Sequence, residues 1–189
     1  MKLFSSILGL TISILLLAGT AFGQIDAFGI TDTLYADVAR IDDNNWSITI
    51  SYTNDEPVIG LTVPLKMSAG LNRIIADSGV YTGGRVEHFT FKGFRPDTGI
   101  QCVLLGMVAN LGPTNLKLDP GHGRLATIFV SSIDKKKIER LIVDTATVSP
   151  SRQTLLCVAE VLENDKTDPA MGIPASNRIV PAFVVRYDQ

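Results

Sequence analysis

The sequence predicts an all-β protein, two stacked sheets forming a β-sandwich or jelly roll of about nine or ten short strands. Apolar and polar residues alternate with period 2 through several short runs, and Gly, Pro, Asn and Asp punctuate those runs. Helical periodicity is almost absent. The clearest segment is Trp46 to Met67. Trp46, Ile48, Ile50 and Tyr52 alternate with Ser47, Thr49, Ser51 and Thr53, which reads as a half-buried strand. Asn54-Asp55-Glu56-Pro57 then turns the chain. From Gly60, Leu61, Val63, Leu65 and Met67 face one way and Thr62, Pro64 and Lys66 the other.

Residues 1 to 23 read as a signal-peptide helix. Lys2 supplies a basic start, Ile7 to Leu17 an apolar run, and Ala18-Gly19-Thr20-Ala21 a small-residue zone with cleavage expected near Gly23 and Gln24. The expected mature domain, 24 to 189, then belongs outside the cytoplasm: secreted, periplasmic or at the cell surface. No second apolar stretch follows, so no membrane span is expected after cleavage.

Along the domain, Thr33 to Ala39 is a weakly alternating strand and Asp42-Asp43-Asn44-Asn45 a turn. Arg73 to Asp77 is a short strand and Thr82-Gly83-Gly84 a turn. Val86 to Lys92 alternates Glu87, Phe89 and Phe91 against Val86, His88, Thr90 and Lys92. A turn at Arg95 to Gly99 leads into Ile100 to Ala109, a strand apolar on both faces and so either sandwiched or facing a partner. Asp119 to Gly123 is a tight turn into the strand Leu125 to Ser132. Lys135-Lys136-Lys137 has the composition to start a short helix, but the β-branched residues after it favour extended chain. Leu155 to Leu162 is a strand, Glu163 to Ser176 a long loop, and Ile179 to Tyr187 the closing strand.

The chain has 189 residues, with 17 basic and 19 acidic side chains and a formal net charge of −2. That balance carries no electrostatic footprint for nucleic acid or an anionic membrane. Cys102 and Cys157 are its two cysteines. Export permits a disulfide, yet both lie in apolar runs where a free Cys packs as a small hydrophobe, so both states stay open.

His88 and His122 stand in no metal-ligand spacing, and no Gly-x-Ser-x-Gly elbow is present. Without a nucleophile or metal beside an activating group, an enzyme is not expected. No cofactor is expected either. Ca²⁺ is the one ion to consider, since Asp42 to Asn45 and Glu163-Asn164-Asp165 with Asp168 offer hard oxygen ligands, though without EF-hand spacing. Polysaccharide binding is the alternative function. It needs exposed rings in a row; Trp46 belongs to the core by alternation, which leaves Tyr35, Tyr81 and Phe94.

Four segments carry a family resemblance. NDEPVIGLTVPLKM is similar to the early hairpin of cohesin-like domains, CVLLGMVANLG resembles their central strand, GHGRLATIFV their Gly-rich turn and following strand, and IVPAFVV their closing strand. The resemblance covers about Thr33 to Arg186. It implies a nine-stranded jelly-roll sandwich, close to certain cellulose-binding modules, in which one sheet face docks a protein partner, a dockerin or another envelope protein. The residues expected to point outward on such a face are Thr62, Lys66, His88, Thr90, Leu104 and Gly106, an apolar centre with a polar margin. The expected function is a secreted, non-catalytic module for protein assembly.

Overall fold

The computed structural model describes residues 29–110, 116–148, 153–160 and 177–188. The leader and the loop at Glu163 to Ser176 lie outside these residues. Among the described residues the chain forms eleven strands: β1 Thr33–Arg40, β2 Asn45–Asn54, β3 Val58–Ser68, β4 Ile74–Val80, β5 Phe91–Asp97, β6 Cys102–Val108, β7 Gly121–Ser132, β8 Ile142–Thr145, β9 Leu156–Ala159, β10 Arg178–Ile179 and β11 Ala182–Tyr187. No helix among them is long and apolar enough to cross a membrane.

Two sheets stack. The first has the order β11-β1-β2-β7-β4, and the second β10-β9-β3-β6-β5 with β8 also paired to β3. β3 is the long central strand of the second sheet: β6 runs along one edge, while β9 and then β8 share the other. The alternation read from the sequence decides which side is inside. Ile48, Ile50 and Tyr52 of β2, Val63, Leu65 and Met67 of β3, and Val103, Leu105 and Met107 of β6 are at most 1% exposed. Burying each such side chain is worth roughly 1.5–3 kcal/mol, so the two apolar faces drive the stacking. Trp46 is buried with them at 8% exposure.

At one seam the sheets meet through Phe94 of β5. Its ring lies against Gly79 of β4, where a Cβ would stand 2.6 Å from Cδ2. The Tyr81 hydroxyl closes the same seam by donating to the Gly93 carbonyl at 2.7 Å, and its burial pushes the phenol pKa up to about 12. Arg85 ties the opposite end of β2 to β7. Its guanidinium donates to the carbonyls of Tyr52, Gly121 and Asp119 and to Asn54 Oδ1. Tyr52 in turn donates to the buried Asp32 carboxylate, and burial raises its own pKa.

Several elements differ from the sequence reading. Val86 to Lys92 is not a strand. Glu87 N donates to Gly84 O and Phe89 N to Val86 O, so the chain coils in consecutive turns. The reason is spacing: Val86 and Phe89, 0% and 2% exposed, both reach the core, and residues three apart do so on a turn, not on a strand. β5 therefore starts at Phe91 and continues through Pro96 to Asp97, and the turn falls at 98–101. Gly121 and Gly123 already belong to β7, at φ values of +144° and +155° that only glycine adopts readily.

Lys135 to Lys137 lies in a loop, and the extended chain favoured after it is β8, Ile142–Thr145. Leu155 to Leu162 contributes β9, Leu156–Ala159, within the described residues. The expected closing strand is two strands in different sheets. Pro181 has no N–H to continue the ladder, so the chain leaves β9 after Ile179 and joins β1 in parallel from Ala182. Cys102 and Cys157 are free and buried. They lie on opposite faces of the second sheet, Cys157 inside and Cys102 outside, which excludes a bridge.

Candidate docking face

The outward face of the second sheet is built row by row from its register. Residues directly opposite one another across a ladder share a face. One row runs Arg178, Val158, Gly60, Val108 and Phe91; the next runs Leu156, Thr62, Gly106 and Gly93. A third holds Pro64, Leu104 and Arg95, and a fourth Asp144, Lys66, Cys102 and Asp97. Charges thus collect at one margin and in the flanking strands, while Val108, Val158, Leu156 and Phe91 make the opposite end of the face apolar, with Phe91 on the edge strand β5.

Glycines make that end shallow. The Phe91 ring extends across Gly93 and Gly106: a Cβ on Gly93 would stand 2.9 Å from its Cζ, and one on Gly106 3.6 Å from a ring carbon. Phe91 remains 46% exposed, the largest ring available on this face. An exposed aromatic held by backbone on one side and open on the other is the anchor geometry that protein interfaces favour.

Of the six residues expected on the face, Thr62, Lys66, Leu104 and Gly106 are there. Leu104 points outward by register but is only 7% exposed, so it supports the surface and offers little of itself. His88 and Thr90 are not on it. Both belong to the segment before β5, where His88 Nε2 contacts the Lys117 carbonyl at 2.7 Å and Thr90 Oγ1 donates to the Ala109 carbonyl at 2.6 Å.

The same one-residue phase error hid Phe91. Alternation counted from Val86 groups Phe91 with Phe89 in the core, whereas the turn resets the phase and leaves Phe91 outward and Lys92 inward-leaning, its ammonium on the carbonyls of Glu87 and Phe89. A Gly at 93 opposite a Gly at 106 was the available signal for a ring lying across the strands.

The acidic turn Asp42 to Asn45 is a structural cap. Asp42 Oδ1 accepts from the backbone N–H of Asn44 and Asn45 at 2.7 and 2.8 Å, and the Asn45 side chain donates as well. Those bonds, the Asn45 side chain first, hold the Asp42 pKa below the usual carboxylate range. Glu163 to Asp168, the other acidic segment, lies outside the described residues. A different group comes together instead: one carboxylate oxygen each from Asp32, Asp55 and Glu56 lies within 4.8 Å of the others, a hard-oxygen set in which a cation would fit by ligand type. Asp32 sits two strands away in sequence from the other two, so spacing gave no sign of it.

The aromatics considered for polysaccharide do not form a platform. Trp46 is in the core, Phe94 packs against it, and Tyr81 is held at the β4–β5 seam. Tyr35 lies on the other sheet, one ring face covered by the Arg186 guanidinium at 4.4 Å and its edge met by His122.

No protein-family model matches the chain, and a search among curated proteins finds no match by sequence. Solved structures do match. The OlpA cohesin of Clostridium thermocellum, in a type I cohesin–dockerin complex, aligns at a TM-score of 0.56 and 10% identity over 84% of this chain and 100% of that one. The sixth cohesin of scaffoldin B from Acetivibrio cellulolyticus, in complex with a Cel5 dockerin variant, gives 0.53 and 10% over 84% and 100%. The OlpC cohesin of Clostridium thermocellum, also in a type I cohesin–dockerin complex, gives 0.53 and 6% over 88% and 100%. At these identities the likeness is one of fold, and the fold is the cohesin β-sandwich.

Proposed function

We propose that this cohesin-like sandwich is an exported, non-catalytic protein-binding module that docks its partner on the outward face of the β9-β3-β6-β5 strands. The observation that carries the proposal is the Phe91 ring lying across Gly93 and Gly106, at the β5 edge of an apolar stretch that runs over Val108 to Val158 and Leu156. The partner is a protein, of the dockerin kind found with the similar structures or another envelope protein.

The test is capture from the native envelope, with purified dockerin modules as defined probes, using the wild-type chain and the variants Phe91→Asp and Thr62→Arg. Melting temperatures are read alongside. A protein retained by the wild type and lost in both variants, with folding unchanged, supports the proposal. Retention indifferent to both replacements overturns it, as does retention on insoluble polysaccharide with no protein bound.

A further inference from the structure

At the end of the sandwich where β2 begins and β3 ends, three loops are tied into one surface. The turn after β3, at Ala69 to Asn72, is joined to the loop after β7 by Asn72 Nδ2 donating to the Lys137 carbonyl at 2.7 Å. Ile133 N donates to Arg73 O at 2.9 Å, and Ile138 N to the Asp43 carbonyl of the β1–β2 turn at 2.8 Å. Within the β7–β8 loop, Ser132 accepts twice: its carbonyl takes the Lys135 N–H and its hydroxyl the Lys136 N–H, while Lys135 stands at a φ of +55°. The backbone presenting these lysines is therefore fixed before any ligand arrives.

Two features of this pole need a partner. The first is aliphatic. Leu71, at the tip of the Ala69–Asn72 turn, is fully exposed, and Ile41 and Ile133 in the two adjoining loops are 54% and 38% exposed. Leu71 at the apex of its turn packs on nothing of its own chain, and together with Ile41 and Ile133 it gives the pole a group of three exposed aliphatic side chains.

The second feature is charge. Two carboxylates of the pole are ion-paired, Asp43 with Arg40 and Glu139 with Lys137, while Asp42, bonded only to the neutral amides of Asn44 and Asn45, keeps its charge. Arg73, Lys135, Lys136 and Arg140 enter no ion pair among the described residues, against the two unpaired carboxylates of Asp42 and Asp134 in the same loops. A chain that is weakly acidic overall thus carries a net excess of cations in the loops around its most exposed leucine.

Aliphatic tips surrounded by cations match the interface of an anionic bilayer, where side chains enter the headgroup boundary and ammonium groups meet phosphates. An acidic polymer would account for the lysines but not for Leu71. We infer that this pole docks the protein on an anionic lipid surface, Leu71 and Ile133 entering the interface and Arg73, Lys135 and Lys136 contacting lipid phosphates. The apolar end of the docking face, with Phe91 and Val108 paired beside Gly60, lies at the other end of β3.

The test places an environment-sensitive fluorophore on the full chain at Leu71→Cys, with Asp119→Cys at the opposite pole as the comparison; Cys102 and Cys157 are buried and leave the label specific. The probe surfaces are phosphatidylcholine vesicles with and without phosphatidylglycerol. A blue shift at position 71, absent at 119, requiring phosphatidylglycerol and weakening with salt, is the expected result.

Lys135→Glu with Lys136→Glu, and separately Arg73→Glu, raise the lipid concentration for half-maximal response, by about tenfold or more for the double change. Melting temperature stays the same in all of them, because these side chains pack on nothing. No shift at 71, an equal shift at 119, indifference to charge reversal, or binding of polyglutamate in place of vesicles overturns the inference.

Discussion

The ring of Phe91 occupies the space that a side chain at Gly93 would need, with Cζ 2.9 Å from where a Cβ would sit. The docking surface therefore depends on a glycine that contributes no contact of its own. Gly93→Ala is expected to displace the ring and weaken partner binding severalfold, while changing stability by less than about 1 kcal/mol, because the ring is half-exposed and free to move outward. Gly106→Ala, whose Cβ would stand at an ordinary 3.6 Å, leaves binding unchanged. Titration calorimetry against the captured partner, with thermal melts, separates the two.

Arg85 has a structural duty. Four oxygens, from Tyr52, Asn54, Asp119 and Gly121, converge on its half-buried guanidinium, whose desolvation lowers its pKa. Arg85→Ala leaves them without their donor and is expected to cost about 2–4 kcal/mol, a fall of roughly 5–15 °C in melting temperature. Arg85→Lys recovers little of this, since one ammonium cannot reproduce the planar fork. Differential scanning calorimetry reads both.

Asp42 gives the β1–β2 turn a pH dependence. Its folded-state pKa lies below the ordinary aspartate value of 3.8, so the stability it contributes is fully present above that value and is lost as pH falls through the lower folded value. Asp42→Ala is expected to melt below wild type at neutral pH. The gap closes in acid, below about pH 3.8, and melts across that range check the sign.

The cysteines give a direct chemical prediction. Both are buried, on opposite faces of the sheet, and burial raises the Cys102 pKa. Native protein should alkylate slowly at both positions, and protein unfolded without reductant should take up two alkyl groups, read by mass. Uptake of none in the unfolded chain would mean a disulfide and contradict the topology.

Much of the fold was legible because alternation is a local property. The inward faces of β2, β3 and β6 follow from counting by twos, and Trp46 falls in the core as that count requires. The count fails where a turn resets it. Val86 and Phe89 look like strand residues until both are seen to need the core, and that error carried His88 and Thr90 onto the docking face and took Phe91 off it.

By itself, then, the sequence determined that this chain would make strands, which side of most of them would turn inward, and that two apolar sheets would stack. Those outcomes rest on side-chain period and on the φ preferences of Gly, Pro and Asn, which act over a few residues. Only the tertiary structure decided what lies across from what: Phe91 over Gly106, Arg85 on Asp119, Leu71 beside the Lys135 loop. Such neighbours come from strand order and register, and the packing of the whole core selects these together.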